Sequence, residues 1–297
     1  MHAPSVETHF IRSHHVDQVF KIQVMCPARH RTEESRFPVV YATDGNLMFD
    51  ALKGISHSIQ TPERDVPRFI LVGIGYPSDM PFAGTLLRAR DLTFPQYPDL
   101  GTERPSVDGT LAAVEGTKDF YGAEDFQRFI ECELIPVVDQ QYETIPGDRT
   151  YFGHSAGGGF GLFTLFEKSD LFKSYIVSSP GVTYHGVTPA GIRYENYDFM
   201  LSIAREFIAS GKSLDGVKLY LSVGTAEEFE PALTEWRLTS SFYRLANLLK
   251  GAGIEGLELT TEAIEGETHA TAWPIAFIHG LKAVLCGNAG ADRFRKT

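Results

Sequence analysis

Cysteine is scarce in this chain. Cys26, Cys132 and Cys286 are the only three among 297 residues, far apart and without C-x-x-C spacing. That argues against a disulfide framework and against a structural zinc site. Long apolar runs are missing too, and none approaches the roughly 18 residues of a membrane span. The opening "MHAPSVETHFIRSHH" lacks the basic-then-apolar order of a secretory signal. Positive charge is in the minority, with 27 Lys and Arg against 38 Asp and Glu and a formal net charge of −11. Without a basic cluster the chain has no electrostatic footprint of a nucleic-acid binder, and an anionic membrane surface would repel it. Repeats and low-complexity segments are also absent. These absences lead us to expect a soluble cytoplasmic protein with neither nucleic acid nor membrane as partner.

What is present is an ordinary globular composition, 43% hydrophobic and 22% charged. The length suits one large α/β domain spanning 1–297. "ETHFIRS" and "QVFKIQVMCP" flank a short polar connection and read as an antiparallel strand pair. "FPVVYATDG" and "RFILVGIGYP" are continuous apolar runs stopped by turn residues, as in a sheet covered on both faces. From Gly122 the period changes to helical: "GAEDFQRFIECELIPVVDQQY" carries acids in its first turn and Phe126, Phe129, Ile130 and Leu134 on one face. Strands at "RTYFGHS", "FKSYIVSSPG", "VKLYLSVG" and "LELTTEAIEG" then alternate with helices at "AGGGFGLFTLFEKS", "ENYDFMLSIAREFIASG", "TEWRLTSSFYRLANLLKGAG" and "TAWPIAFIHGLKAVL". Such alternation implies a mostly parallel sheet with helices on both faces. Residues 77–118 break the rhythm, rich in Pro, Gly and charge, and read as a substrate-facing loop insertion, with a merely mobile insertion as the alternative.

One short stretch carries chemistry. Gly153-His154-Ser155-Ala156-Gly157 fits G-x-S-x-G in full, between an apolar strand and a small-residue helix. That context is a nucleophile elbow: the Ser sits on a tight strand-to-helix turn and the flanking glycines avoid collision. The backbone N–H of Ala156 would face a developing oxyanion at the helix N-terminus. A Ser hydroxyl needs a base. In this architecture the acid and then the His follow the Ser in the chain. Of ten histidines, His269 in "IEGETHATAW" lies between the last strand and the last helix, whereas His185 and His279 lie in weaker contexts and the rest precede or adjoin the Ser. After "VKLYLSVG" the acid candidates are Glu227 and then Glu228, with the alternative that an acidic run is solvated surface. The turn Asp44-Gly45-Asn46 offers the N–H of Asn46 as second oxyanion donor, or is a plain turn.

The segments "PVVYATDGNLMFD", "RARDLTF", "GAEDFQRFIECELIPVVDQQY", "DRTYFGHSAGGGFGLF" and "EGETHATAW" resemble the esterase D and enterochelin esterase-like branch of the α/β hydrolases. The likeness runs from about residue 38 to 275 and is strongest to the ferric-siderophore esterase-like subgroup. It implies the α/β-hydrolase fold, Ser155 as nucleophile, His269 as base, Glu227 as acid, and Asn46 and Ala156 as oxyanion donors, with no cofactor or metal. By the same likeness Arg88 is a substrate contact, with an ion pair to Asp91 as the alternative. Where the family reads D-x-T-P, this chain reads Asp91-Leu92-Thr93-Phe94-Pro95, with an extra Phe. Together with the insertion, that departure bears on substrate choice.

The expectation is thus a serine esterase acting on a small-molecule ester, with Trp273, Phe94 and Arg88 shaping the pocket. The acidic net charge disfavours polyanionic substrates unless Arg88 offsets it locally. Acyl transfer, an S-formylglutathione-type thioesterase and a catalytically inactive binding module are the alternatives. The thioesterase's S-G-L-T-C turn is absent.

Overall fold

A computed structural model describes residues 5–27, 36–60, 66–77, 81–99, 121–188 and 191–286, with side chains undescribed at 81–86. Among the described residues, ten strands form two sheets. The main sheet holds eight strands: β1 (Ser5–Arg12), β2 (Val19–Cys26), β3 (Phe37–Ala42), β4 (Ile70–Gly75), β5 (Thr144–His154), β6 (Ser174–Ser178), β9 (Lys218–Gly224) and β10 (Glu258–Ile264). Their spatial order is β1-β2-β4-β3-β5-β6-β9-β10. β1 pairs antiparallel with β2, and β2 antiparallel with β4. From β4 through β10 every pairing is parallel. This is the α/β-hydrolase architecture that the alternation of strands and helices implies.

The core divides by the two-residue period of the strands. Val39, Tyr41, Tyr151, Tyr175, Val177, Leu219 and Leu221 pack into one apolar layer. Their neighbours Val40, Ala42, Phe152, Ile176 and Tyr220 pack into the other. The second layer is closed by α1 (Gly45–Ile59) through Met48, Phe49 and Leu52, and by α8 (His269–Leu285) through Ala272, Ala276, Phe277 and Leu281. The first layer is covered by α3 (Ala123–Phe129), α4 (Ile135–Gln141), α5 (Ala156–Glu167), α6 (Phe199–Ala209) and α7 (Leu238–Ala252). α5 is buried along nearly its whole length, which explains its run of small and apolar residues.

Several elements depart from the sequence expectations. The stretch read as a loop after Pro77 contains a helix, α2 (Pro81–Leu92), while 100–120 lie outside the described residues. The helix after Gly122 is interrupted by a π turn at Ile130–Leu134. Pro136 near the start of α4 cannot donate to a carbonyl one turn back, and the wider turn relieves that clash. "ENY" is not helical: it belongs to β8 (Arg193–Tyr197), which forms a hairpin with β7 (Tyr184–Val187). "TEW" belongs to a 3-10 turn, Pro231–Trp236, separated from α7 by Arg237 in the left-handed region. In each case a short local pattern yields to contacts distant in sequence.

α8 lies so close to the sheet that only glycine fits at 280. A Cβ there would overlap the Ile176 side chain and come within 3.0 Å of the Tyr220 ring. Gly280→Ala is expected to lower stability by about 1–3 kcal/mol through overpacking, measured by urea denaturation.

Candidate active site

β5 ends at His154 and α5 begins at Ala156, leaving Ser155 alone in the turn with φ 59° and ψ −124°. An L-residue held there costs on the order of 1–3 kcal/mol, so the surroundings must fix it. They do so through the backbone. Ser155 N–H donates to the Ser178 carbonyl at 2.9 Å, and Gly159 N–H donates to the Ser155 carbonyl at 3.0 Å. A Cβ at Gly153 would run into the Gly157 carbonyl. One at Gly157 would meet Thr43 Oγ1 at 2.5 Å, and one at Gly158 the Ser178 carbonyl at 2.8 Å. The two glycines flanking the Ser are therefore required by the crossing of strand and helix. Tyr151 Oη on the strand below donates to the Gly157 carbonyl at 2.7 Å, tying the first turn of α5 down.

The acidic run after β9 resolves into three separate tasks. Glu227 is fully buried in a 3-10 turn, Thr225–Phe229, and its Oε2 lies 2.7 Å from His269 Nδ1. Its other oxygen accepts from Gly224 N–H and Ser179 Oγ, each at 2.6 Å. Glu228 turns outward and caps α7, accepting from Ser240 N–H at 2.9 Å and Ser240 Oγ at 2.8 Å. Glu230 accepts the backbone N–H of His269 at 2.5 Å, at the start of α8. His269 is thus held by one carboxylate at its ring and another at its backbone. Sequence reading passed over Glu230, because an acceptor for a helix N-terminus on a distant element leaves no local pattern.

His269 also lies against the elbow. Its ring centroid is 4.3 Å from that of His154, the residue before Ser155. Ser155 Oγ makes no hydrogen bond among the described residues. His154 is buried, and its Nδ1 lies 3.1 Å from Ser178 Oγ. Burial, and then the positive character of His269 and Arg88 nearby, push its pKa well below the ordinary value. His154 is therefore neutral at pH 7.

The Asp44-Gly45-Asn46 turn meets the elbow from the other side. Asp44 takes the left-handed conformation, with φ 58° and ψ 34°, and its carbonyl accepts from Leu47 and Met48 N–H at 2.9 Å each. Gly45 allows the approach to β4, since a Cβ would lie 3.0 Å from the Ile74 carbonyl. The Asn46 side chain grips the end of β4 at both ends, accepting from Tyr76 N–H at 2.6 Å and donating to the Tyr76 carbonyl at 2.7 Å. Asn46 and Ala156 stand in the first turns of α1 and α5, where N–H groups have no intrahelical partner. The arrangement has the parts that acyl chemistry needs: a hydroxyl on a strained turn, an imidazole oriented by a buried carboxylate, and two helix N-termini.

The ion pair between Arg88 and Asp91, the alternative to a substrate contact, is not formed. Arg88 engages Asp44 through Nε to Oδ1, and through Nη2 to Oδ2 at 3.3 Å. Asp91 is instead buried with Arg90, at 2.6 and 3.0 Å, and with Tyr76 Oη at 2.9 Å. Asp91 faces the core from α2, which leaves Arg88 to the turn beside the elbow. A Cβ at Gly157 would be 3.1 Å from Asp44 Oδ2, so this pair sits over the start of α5. Phe94 is fully buried and stacked on Phe163, with centroids 4.9 Å apart. It supports Tyr97, which packs on Trp236 at 5.6 Å. Trp273 packs against the other apolar layer, with α1 and α8. The structure does not bring Phe94 and Trp273 together. The aromatic group at Tyr97, Trp236, Tyr184 and Phe199 has no sequence signal, because its members come from four separate segments.

Comparison with known proteins agrees with this architecture. Residues 102–284 match the sequence profile of the family described as "Putative esterase". The chain is 28% identical over 285 residues to the ferri-bacillibactin esterase BesA of Bacillus subtilis, covering 95% of this chain and 90% of that protein. It is 26% identical over 283 residues to the siderophore triacetylfusarinine C esterase of Aspergillus fumigatus, covering 88% and 87%. Among solved structures, the BES protein from Bacillus cereus superposes with a TM-score of 0.71 at 26% identity, over 94% of each chain. The siderophore hydrolase EstA from Aspergillus nidulans shares the fold, with a TM-score of 0.73 at 22% identity over 93% and 92%.

Removing the Asn46 side chain would free both backbone groups of Tyr76. Asn46→Ala is expected to cost about 1–3 kcal/mol in urea denaturation and to lower ester turnover, because the donor turn loses its anchor.

Proposed function

The chain belongs to the esterase family of α/β hydrolases and is an ester hydrolase, and we propose that Ser155, His269 and Glu227 carry its reaction on an iron-siderophore ester. The observation that supports this most is the 2.7 Å contact between His269 Nδ1 and the buried Glu227 carboxylate, beside the strained Ser155 turn. Nδ1–H donated to Glu227 leaves Nε2 as the lone-pair nitrogen. Nε2 takes the proton of Ser155 as Oγ bonds to the ester carbonyl carbon. The oxyanion of the tetrahedral intermediate rests on the N–H groups of Asn46 and Ala156. Collapse breaks the bond to the alcohol, which leaves with the proton from His269. Water then enters by the same route in reverse roles and releases the acid.

The substrate class rests on the relatives named for siderophore esters. Arg88 fits an anionic iron chelate in one respect: Asp44 holds two of its five N–H donors, and the other three have no partner among the described residues. Because Asp44 also balances its charge, Arg88 contributes directional hydrogen bonds more than net positive potential.

Wild type, Ser155→Ala and Glu227→Gln should be assayed on short and long p-nitrophenyl esters and on iron-loaded ester siderophores. A fluorophosphonate label read by mass spectrometry accompanies the kinetics. Ser155→Ala is expected to lose at least about 10³-fold in kcat and all labelling, and Glu227→Gln roughly 10²–10⁴-fold with the label retained. Folded wild type that neither turns over nor labels at Ser155 refutes the reading.

A further inference from the structure

The side chains around His269 close a ring of contacts. His269 Nδ1 meets Glu227 Oε2 at 2.7 Å, and Glu227 Oε1 accepts from Ser179 Oγ at 2.6 Å. Ser179 Oγ lies 3.5 Å from Ser178 Oγ, which is 3.1 Å from His154 Nδ1. The His154 ring then returns to His269, with centroids 4.3 Å apart and planes at 41°. The reaction proposed above uses only two of these five residues. The other three, Ser178, Ser179 and His154, are all buried. Ser179 even holds a positive φ of 48°, a conformation that costs a non-glycine residue free energy. That backbone is what allows adjacent serines, 178 and 179, to reach opposite sides of the ring.

The charge state of His154 decides what the ring contact can do. Two imidazolium rings 4.3 Å apart in a buried site would repel strongly, and burial keeps His154 uncharged. A neutral aromatic ring beside an imidazolium is favourable. The other charged groups around His269 are Glu227 at its ring, Glu230 at its backbone and, further out on α2, Arg88, which acts on His154.

We propose that His154 is a positioning residue: its ring, packed against the ring of His269, fixes the plane of His269 and steadies the imidazolium formed when Ser155 gives up its proton. This rests on the esterase reading, in which His269 is the base. The ring of His154 itself gains and loses no proton. Ser179 has the complementary task of sharing the charge of Glu227, so the carboxylate orients His269 without holding its proton too tightly.

The test compares His154→Asn, His154→Phe and Ser179→Ala with wild type by steady-state kinetics on a p-nitrophenyl ester across pH. Fluorophosphonate labelling of wild type comes first, since absence of label and turnover there refutes the esterase reading itself. His154→Asn keeps a polar group near the Nδ1 position and removes the ring. It is expected to lower kcat about tenfold with KM within about twofold. His154→Phe keeps the ring and should recover kcat to within about threefold of wild type. Ser179→Ala removes a donor from Glu227, so the carboxylate favours the protonated imidazole more. The acidic limb of kcat/KM is then expected to move to higher pH. Wild-type kcat in His154→Asn, equal losses in both His154 variants, or an unmoved acidic limb in folded Ser179→Ala would each overturn the proposal.

Discussion

Strand β5 and helix α5 cross so closely that only glycine fits at the two positions flanking Ser155. Gly153 faces the Gly157 carbonyl with no room for a methyl group, and Gly157 faces Thr43 in the same way. This crossing forces Ser155 into its positive-φ turn and directs the first N–H groups of α5 outward from the sheet edge. It also brings β3 and its Asp44 turn alongside, because β3 and β5 are hydrogen-bonded neighbours. Were the crossing wider, the start of α5 and the Asp44 turn would not meet. The cost of the strained turn is spread over the buried contacts of α5 on both neighbouring strands.

The second constraint is the burial of Glu227. A carboxylate removed from water must be fully hydrogen-bonded, and its oxygens meet Gly224 N–H, Ser179 Oγ and His269 Nδ1. Gly224 is needed at that place because a Cβ would overlap the Glu267 carbonyl. The loop after β9 and the loop before α8 are thus locked together, and the lock orients the imidazole. Parallel strands β9 and β10 bring both loops to the same sheet edge. Loops at one edge of a parallel sheet are free to carry polar groups while the strands beneath them stay apolar.

Much of this was legible in the sequence. The apolar strands, the elbow and the order of Ser, acid and His are each local patterns with a physical cause. Ser155, Glu227 and His269 were named from such patterns, and the structure brings Glu227 and His269 into contact beside the elbow. Phe94, which the departure from the family pattern points to as a pocket residue, is a fully buried ring stacked on Phe163. The helix inside the segment after Pro77 and the hairpin of β7 and β8 leave little mark in the sequence, since the one is weakly periodic and the strands of the other are short.

The sequence by itself determined the α/β architecture and the identity of the turn that carries Ser155, because strand period, helix period and glycine placement act over a few residues. Only the tertiary structure decided how the charges pair. Arg88 takes Asp44 from 44 residues away instead of Asp91 at three, and of three neighbouring glutamates one meets the His269 ring, one its backbone and one a different helix. Ion pairs and hydrogen bonds are chosen by distance and burial in space, and neither is written in the spacing of residues along the chain.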